Sequence, residues 1–190
     1  MDTLDFTPPN DSGEFFAGTP ADGCERFYHG TSQYFLDRIT EHGFVVQYRP
    51  VNDQEVAVLE RYAHRMQNVG PTIVWSLGVA KRLSLTRKSM LALSYASSGL
   101  RGGIYKSLLD DLTILLAPDA EQIPEQDVAI LAPLKTRLQA LQTEPGLVCA
   151  IDLKPAEIAK LEPLGQDPAY AQFDIAPERI IAVMKVPNGR

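Results

Sequence analysis

The residues best suited to chemistry form one short run, Phe27-Tyr28-His29-Gly30-Thr31-Ser32. An imidazole offers both a donor and an acceptor, glycine lets backbone approach a ligand closely, and Thr31 or Ser32 can cap a following helix. Together they make a polar corner that can hold a nucleotide. Further along, residues 61–109 contain Arg61, Arg65, Lys81, Arg82, Arg87, Lys88, Arg101 and Lys106 with no Asp or Glu. A block of that sign attracts phosphate.

The surrounding pattern supplies elements to position these groups. Phe27 and Tyr28 suit a half-buried strand, and Phe35, Leu36 and Ile39 give the next stretch a helical stripe that ends at Gly43. Asn52 to Gln67 reads as a helix with Val56, Leu59, Tyr62, Ala63 and Met66 on one face. Residues 72–77 and Leu83-Ser84-Leu85-Thr86 read as strands, the second leading into a helix over 87–97 that carries Met90, Leu91 and Tyr95. Two helices are expected over 105–116 and 127–141. Leu147 to Leu153 is a nearly continuous apolar run, as a central strand should be. A short helix over 155–161 follows, and strands over 170–175 and 180–186 flank a one-turn corner at Pro177-Glu178-Arg179. On a continuous strand Gln172 and Asp174, two residues apart, would share one face.

Three of these stretches, in order, resemble the motifs of ADP-ribosyltransferases of the diphtheria-toxin and poly(ADP-ribose)-polymerase type. Tyr28-His29-Gly30-Thr31 resembles the first, Ser84-Leu85-Thr86 with Ala92-Leu93-Ser94-Tyr95 the second, and Gln172 to Glu178 the third. The resemblance implies an α+β fold, a split mixed β-sheet or β-sandwich core with flanking helices, and NAD held in its cleft as substrate. It implies that His29 bonds an adenosine ribose hydroxyl, that the backbone of Gly30 pairs with the nicotinamide carboxamide, and that Tyr95 stacks on the pyridinium ring. It also places Thr31, Ser84, Thr86 and Arg87 around NAD, with Arg82, Arg87 and Lys88 available to the pyrophosphate. The family's second aromatic is replaced here by Ser84, and its catalytic glutamate falls on Gln172 or, shifted by two, on Asp174. A carboxylate there stabilises the oxocarbenium-like sugar and can take a proton from the acceptor. Gln172 cannot take a proton.

The implied activity is mono-ADP-ribosylation of a macromolecule with release of nicotinamide. In bacteria compact members serve as toxins, effectors or phage-defence proteins. The acceptor is a protein, or RNA or DNA reached through the basic stretch, and an inhibitory partner is compatible with such a role. Two alternatives remain open: a degenerate NAD or ADP-ribose reader, and an RNA 2'-phosphotransferase. The second should bring further histidine and arginine into the pocket, yet only His29, His42 and His64 occur.

Composition sets the outer limits. With 190 residues and 45% hydrophobic content, one domain with a real core is expected. The organisation expected is an acidic flexible arm over 1–25, then a domain over 26–190 with a helical insertion around 98–146. Six of the acids, Asp2, Asp5, Asp11, Glu14, Asp22 and Glu25, lie in that arm and match the net charge of −6. Cys24 and Cys149 lack metal-ligand spacing and are expected as free thiols in a cytoplasmic protein without bound metal. No apolar run reaches the roughly 18 residues of a membrane span.

Overall fold

The computed structural model describes residues 1–5, 15, 16, 18–48, 50–71, 82–97, 104–118, 120, 122–163, 167 and 169–187, with the Ile104 side chain left aside. The strand expected over 72–77 lies outside them. The chain divides into two compact units, one of Met1–Gln47, Lys81–Arg101 and Glu144–Arg190, the other of Tyr48–Ala80 and Gly102–Thr143.

The first unit is built on β4 (Gly146–Leu153), whose eight residues are all buried. It pairs antiparallel with β2 (Glu25–Ser32) on one side and β7 (Ile180–Val186) on the other, and β7 in turn pairs parallel with β1 (Asp2–Leu4). A second sheet has the order β3 (Leu83–Leu85), β6 (Ala169–Ala171), β5 (Glu162–Pro163), all antiparallel. Alternation sorts the larger sheet into two faces. Phe27, Leu147, Cys149 and Ile151 pack with Leu85, Ala171, Phe44 and Ile39 on one, while Tyr28, Val148, Ala150 and Met184 pack with Phe15, Phe16, Ala92 and Ala96 on the other. Burial of Cys149 pushes its thiol well above the usual range, so it behaves as a small apolar side chain. Among the described residues no helix is long and apolar enough to cross a membrane, and the fold is mixed α+β.

Helices complete this unit. Ser32 accepts from the Tyr34 N–H and starts a 3-10 turn that continues as α1 (Leu36–His42). Gly43 ends α1 with φ 71°, and a Cβ there would lie 2.0 Å from the Ile175 carbonyl oxygen, so only glycine fits.

The second unit holds α2 (Asp53–Tyr62), α4 (Ile104–Leu115) and α5 (Glu125–Thr143), with α3 (Ser89–Ala96) belonging to the first. Its core is Val56, Leu59, Leu108, Leu112, Leu131, Leu134 and Leu138, packed without residues of the sheets. Asn52 and Glu55 form a reciprocal capping box at the start of α2.

Three expectations are corrected. The helical element is wider than an insertion around 98–146, because the stripe of α2 packs with α4 and α5 and so joins the same unit. Residues 1–25 are no free arm where described: Asp2–Leu4 is a strand, Phe15 and Phe16 are buried, and Glu25 pairs with Arg87. Its apolar residues and unpaired backbone find partners on the sheet that periodicity in the sequence does not reveal. The strand expected over 170–175 is broken, with β6 ending at Ala171 and only Ile175 rejoining the ladder through Phe44.

Candidate functional site

The site is best built outward from the edge of β2 opposite β4. Tyr28 exchanges both backbone bonds with Thr86, N–H to oxygen at 2.7 and 3.0 Å, and so turns its peptide groups away from β4. In an antiparallel pair that orientation alternates, so Gly30, two residues on, presents its N–H and C=O in the same direction. Among the described residues neither group has a partner. Beyond Tyr28 and Thr86 the strands therefore leave a wedge, with a backbone donor and acceptor on the β2 side.

Gly30 also fixes what lies above that edge. A Cβ on it would meet the Ala92 carbonyl oxygen at 2.0 Å and the Ala96 nitrogen at 3.0 Å, the two ends of one helical turn of α3. Gly146 receives the Ala96 carbonyl as closely. Two glycines thus let α3 lie flat across β2 and β4. Tyr95 sits about 60° round the helix from Ala92, 43% exposed. It is an available aromatic rather than a core one.

On the other face of β2, His29 closes the base of the wedge. Its Nδ1 lies 2.8 Å from the Ser84 carbonyl oxygen, which can only accept, so Nδ1 carries the hydrogen. The ring edge rests on Phe44, centroids 5.1 Å apart at 77°. Burial lowers the imidazole pKa, and the bond to Ser84 opposes this to a lesser degree. A neutral ring with hydrogen on Nδ1 leaves Nε2 as an acceptor, the group needed to receive a sugar hydroxyl.

The Tyr28 and Thr86 pair also sets which residues share a face. Side chains directly opposite in a ladder point the same way, so Thr86 and Ser84 lie on the side of Tyr28, Gly30 and α3. Ser84, Tyr170 and Glu162 are cross-strand partners in one row across β3, β6 and β5. Arg82 lies over the Tyr170 ring at 4.2 Å from its centroid. Gln172 donates to Glu162 at 2.6 Å.

Of the residues expected at the site, the structure brings His29, Gly30, Ser84 and the helix of Tyr95 together. Ser84 contributes its carbonyl to His29, while its side chain is exposed. Thr31 is buried on the His29 face of β2. Thr86 and Arg87, expected around NAD, already have partners within the chain. The Thr86 hydroxyl donates to Asp167 at 2.6 Å and accepts from the Lys88 N–H, while the Arg87 guanidinium bonds Glu25 and covers Phe27. These two residues lock the turn from β3 into α3. Gln172 and Asp174 do not share one pocket wall as expected, because the strand is broken between them. Gln172 turns to Glu162, and Asp174 accepts from the Val46 N–H at 2.9 Å.

Sequence reasoning passed over Glu162 and Tyr170. Glu162 carried no local signal, since β5 is only two residues long and its place depends on pairing with β6. Arg82 was expected at the pyrophosphate together with Arg87 and Lys88, with nothing in the sequence to separate the three. Among the described residues, no group of three or more His, Cys, Asp or Glu is placed to hold a metal ion. Set against protein-family models, curated proteins and solved structures, the chain matches none, so the site is interpreted from its own geometry.

Proposed function

We propose that the protein is a mono-ADP-ribosyltransferase that uses NAD as substrate, on a split-sheet core of the ADP-ribosyltransferase kind. The observation that carries the proposal is the wedge beside Gly30: two backbone groups without a partner among the described residues, flanked by an exposed tyrosine on α3 and by a histidine whose Nδ1–H is fixed on Ser84. A carboxamide has one donor and one acceptor in a plane, complementary to the Gly30 edge. Tyr95 would stack on the electron-poor pyridinium, a gain of roughly 0.5–2 kcal/mol. His29 Nε2 would accept from a ribose hydroxyl.

In the reaction the bond between nicotinamide nitrogen and ribose breaks, its electron pair leaving with neutral nicotinamide. The sugar carbon then bonds to an acceptor nucleophile, whose proton passes to a carboxylate or to water. Asp174 is the expected carboxylate, with Oδ1 on Val46 and Oδ2 available. The acceptor is a macromolecule, protein or nucleic acid, consistent with a toxin, effector or defence role inside a cell.

Incubation with labelled NAD and a cell lysate tests the proposal. The expected result is nicotinamide release with label on a macromolecule, lost in His29→Ala and Tyr95→Ala, and protease or nuclease treatment then identifies the acceptor class. Intact NAD and unlabelled lysate would end it. One observation favours a second reading, an NAD or ADP-ribose reader without turnover: Gln172 and Asp174 each already bond a group of this chain. Saturable NAD binding without nicotinamide release would select it.

A further inference from the structure

The arginines of the described residues differ in partner, and Arg65, like Arg82, lies over a tyrosine ring, that of Tyr62. Arg26, Arg61, Arg87, Arg137 and Arg179 each pair with a carboxylate, from Asp152, Asp127, Glu25, Glu55 and Glu157 respectively. Arg82 has no carboxylate among the described residues. It is exposed, and its guanidinium carbon lies over the Tyr170 ring, 4.2 Å from the centroid. Stacking leaves the in-plane N–H fork free, the geometry that grips phosphate through two parallel bonds.

Across the same face stands a complementary group. Glu162 is exposed and braced by the Gln172 amide, whose N–H bond to Oε2 holds the carboxylate in place and leaves Oε1 as an acceptor. From Ser84 on β3 to Glu162 on β5 is two strand spacings, about 10 Å, the scale of a single nucleotide. Ser84 adjoins the wedge through its carbonyl on His29, and the face lies on the α3 side of the sheet. A polyanionic strand would meet Glu162 as a repulsive charge, whereas one ribose phosphate presents an anion at one end and hydroxyl donors at the other.

We propose that the Arg82, Tyr170, Gln172 and Glu162 face is a ribose-phosphate site, Arg82 taking phosphate and Glu162 accepting from sugar hydroxyls. The ligand is a small nucleotide, and in the NAD-dependent reading on which this rests it is the ADP-ribose portion of NAD. Glu162 then stands beside Asp174 as a second carboxylate at the site. Tyr170 and Gln172 are positioning residues that aim Arg82 and Glu162.

Calorimetric titration of the full chain with NAD and with ADP-ribose, alongside a nicotinamide-release assay, tests this. Arg82→Ala and Glu162→Gln are expected to weaken binding of both ligands tenfold or more. Tyr170→Leu should reproduce part of the Arg82→Ala loss, and Tyr170→Phe, which keeps the stack, should restore it. All these side chains are at least partly exposed, and unchanged circular dichroism would certify folding. Wild-type binding that survives both Arg82→Ala and Glu162→Gln overturns the site while leaving NAD as the substrate. A wild-type chain that binds neither ligand and releases no nicotinamide overturns the site and the NAD reading together.

Discussion

Both units saturate their buried carboxylates, Asp152 of the sheet unit taking Arg26, but the sheet unit also keeps groups open beside them. In the helical unit the buried carboxylates are consumed by their own surroundings. Asp111, 3% exposed, accepts from the N–H groups of Gln67, Asn68 and Val69 and from the Asn68 amide. Asp127 takes Arg61 and the Tyr62 hydroxyl, which raises the Tyr62 pKa because a phenolate would face the carboxylate. Glu55 takes Arg137, which also donates to the Pro50 carbonyl. In the sheet unit Arg82 and Tyr95 are exposed, and the Gly30 backbone has no partner among the described residues. Saturated networks hold a fold together. Groups left unsaturated on a rigid frame are the ones available to a ligand.

The largest effect should come from breaking a saturated network. Asp111→Ala strips the loop at residues 67–69 of its acceptor, leaving several amides unpaired at about 1–3 kcal/mol for each that stays buried. Urea unfolding should show a loss near the upper end of that range, with NAD binding by the remaining folded protein unchanged. A loss below about 0.5 kcal/mol would mean that water satisfies this loop and that the contrast is overstated.

Next is the junction of frame and site. Gly30→Ala forces a methyl against the Ala92 carbonyl and must displace α3. Overpacking of this kind costs about 1–3 kcal/mol, and because α3 carries Tyr95, NAD affinity should fall with stability. Retained affinity in a destabilised variant would dissociate Tyr95 from the wedge.

A smaller effect is expected from pH. Since burial lowers the His29 pKa, the folded state resists protonation while the unfolded imidazole titrates near its ordinary value of about 6.5. Its stabilising contribution is therefore complete above about pH 6.5 and is lost as pH falls from there through the folded-state pKa. Proton resonances of the His29 ring should titrate below 6.5, and NAD binding should weaken over the same acid range. A midpoint above 6.5 would contradict the neutral, Nδ1–H form.

The smallest effect separates two arginines of one region. Arg87→Ala removes an exposed pair with Glu25, worth about 0–1 kcal/mol, and should leave NAD affinity within twofold. An affinity loss equal to that of Arg82→Ala would show that the Glu25 pair yields to ligand and that partner counting misjudges availability.

Much of the frame was legible in the residues. The unbroken apolar run of 147–153 is the central strand, the stripe before Gly43 is a helix ending there, and 83–86 leads into a helix bearing Tyr95. Local periodicity reports such elements because burial on one side repeats every two or 3.6 residues. His29 and Gly30 were legible as a pair for the same reason, being a polar break in an apolar strand. Gln172 and Asp174 were less so, since their shared face assumed a continuous strand and the chain bends at Phe173.

The sequence by itself determined which residue types were on hand: an imidazole beside a glycine in an apolar strand, an acid-free basic stretch, a tyrosine on a short helix. Only the tertiary structure decided which of them stay available. Arg82 and Arg87 are five positions apart in one basic block and alike in charge, yet Glu25 reaches one and Tyr170 the other from distant parts of the chain. Pairing across more than sixty residues leaves no local trace, because it is set by strand register and not by the neighbours of either residue.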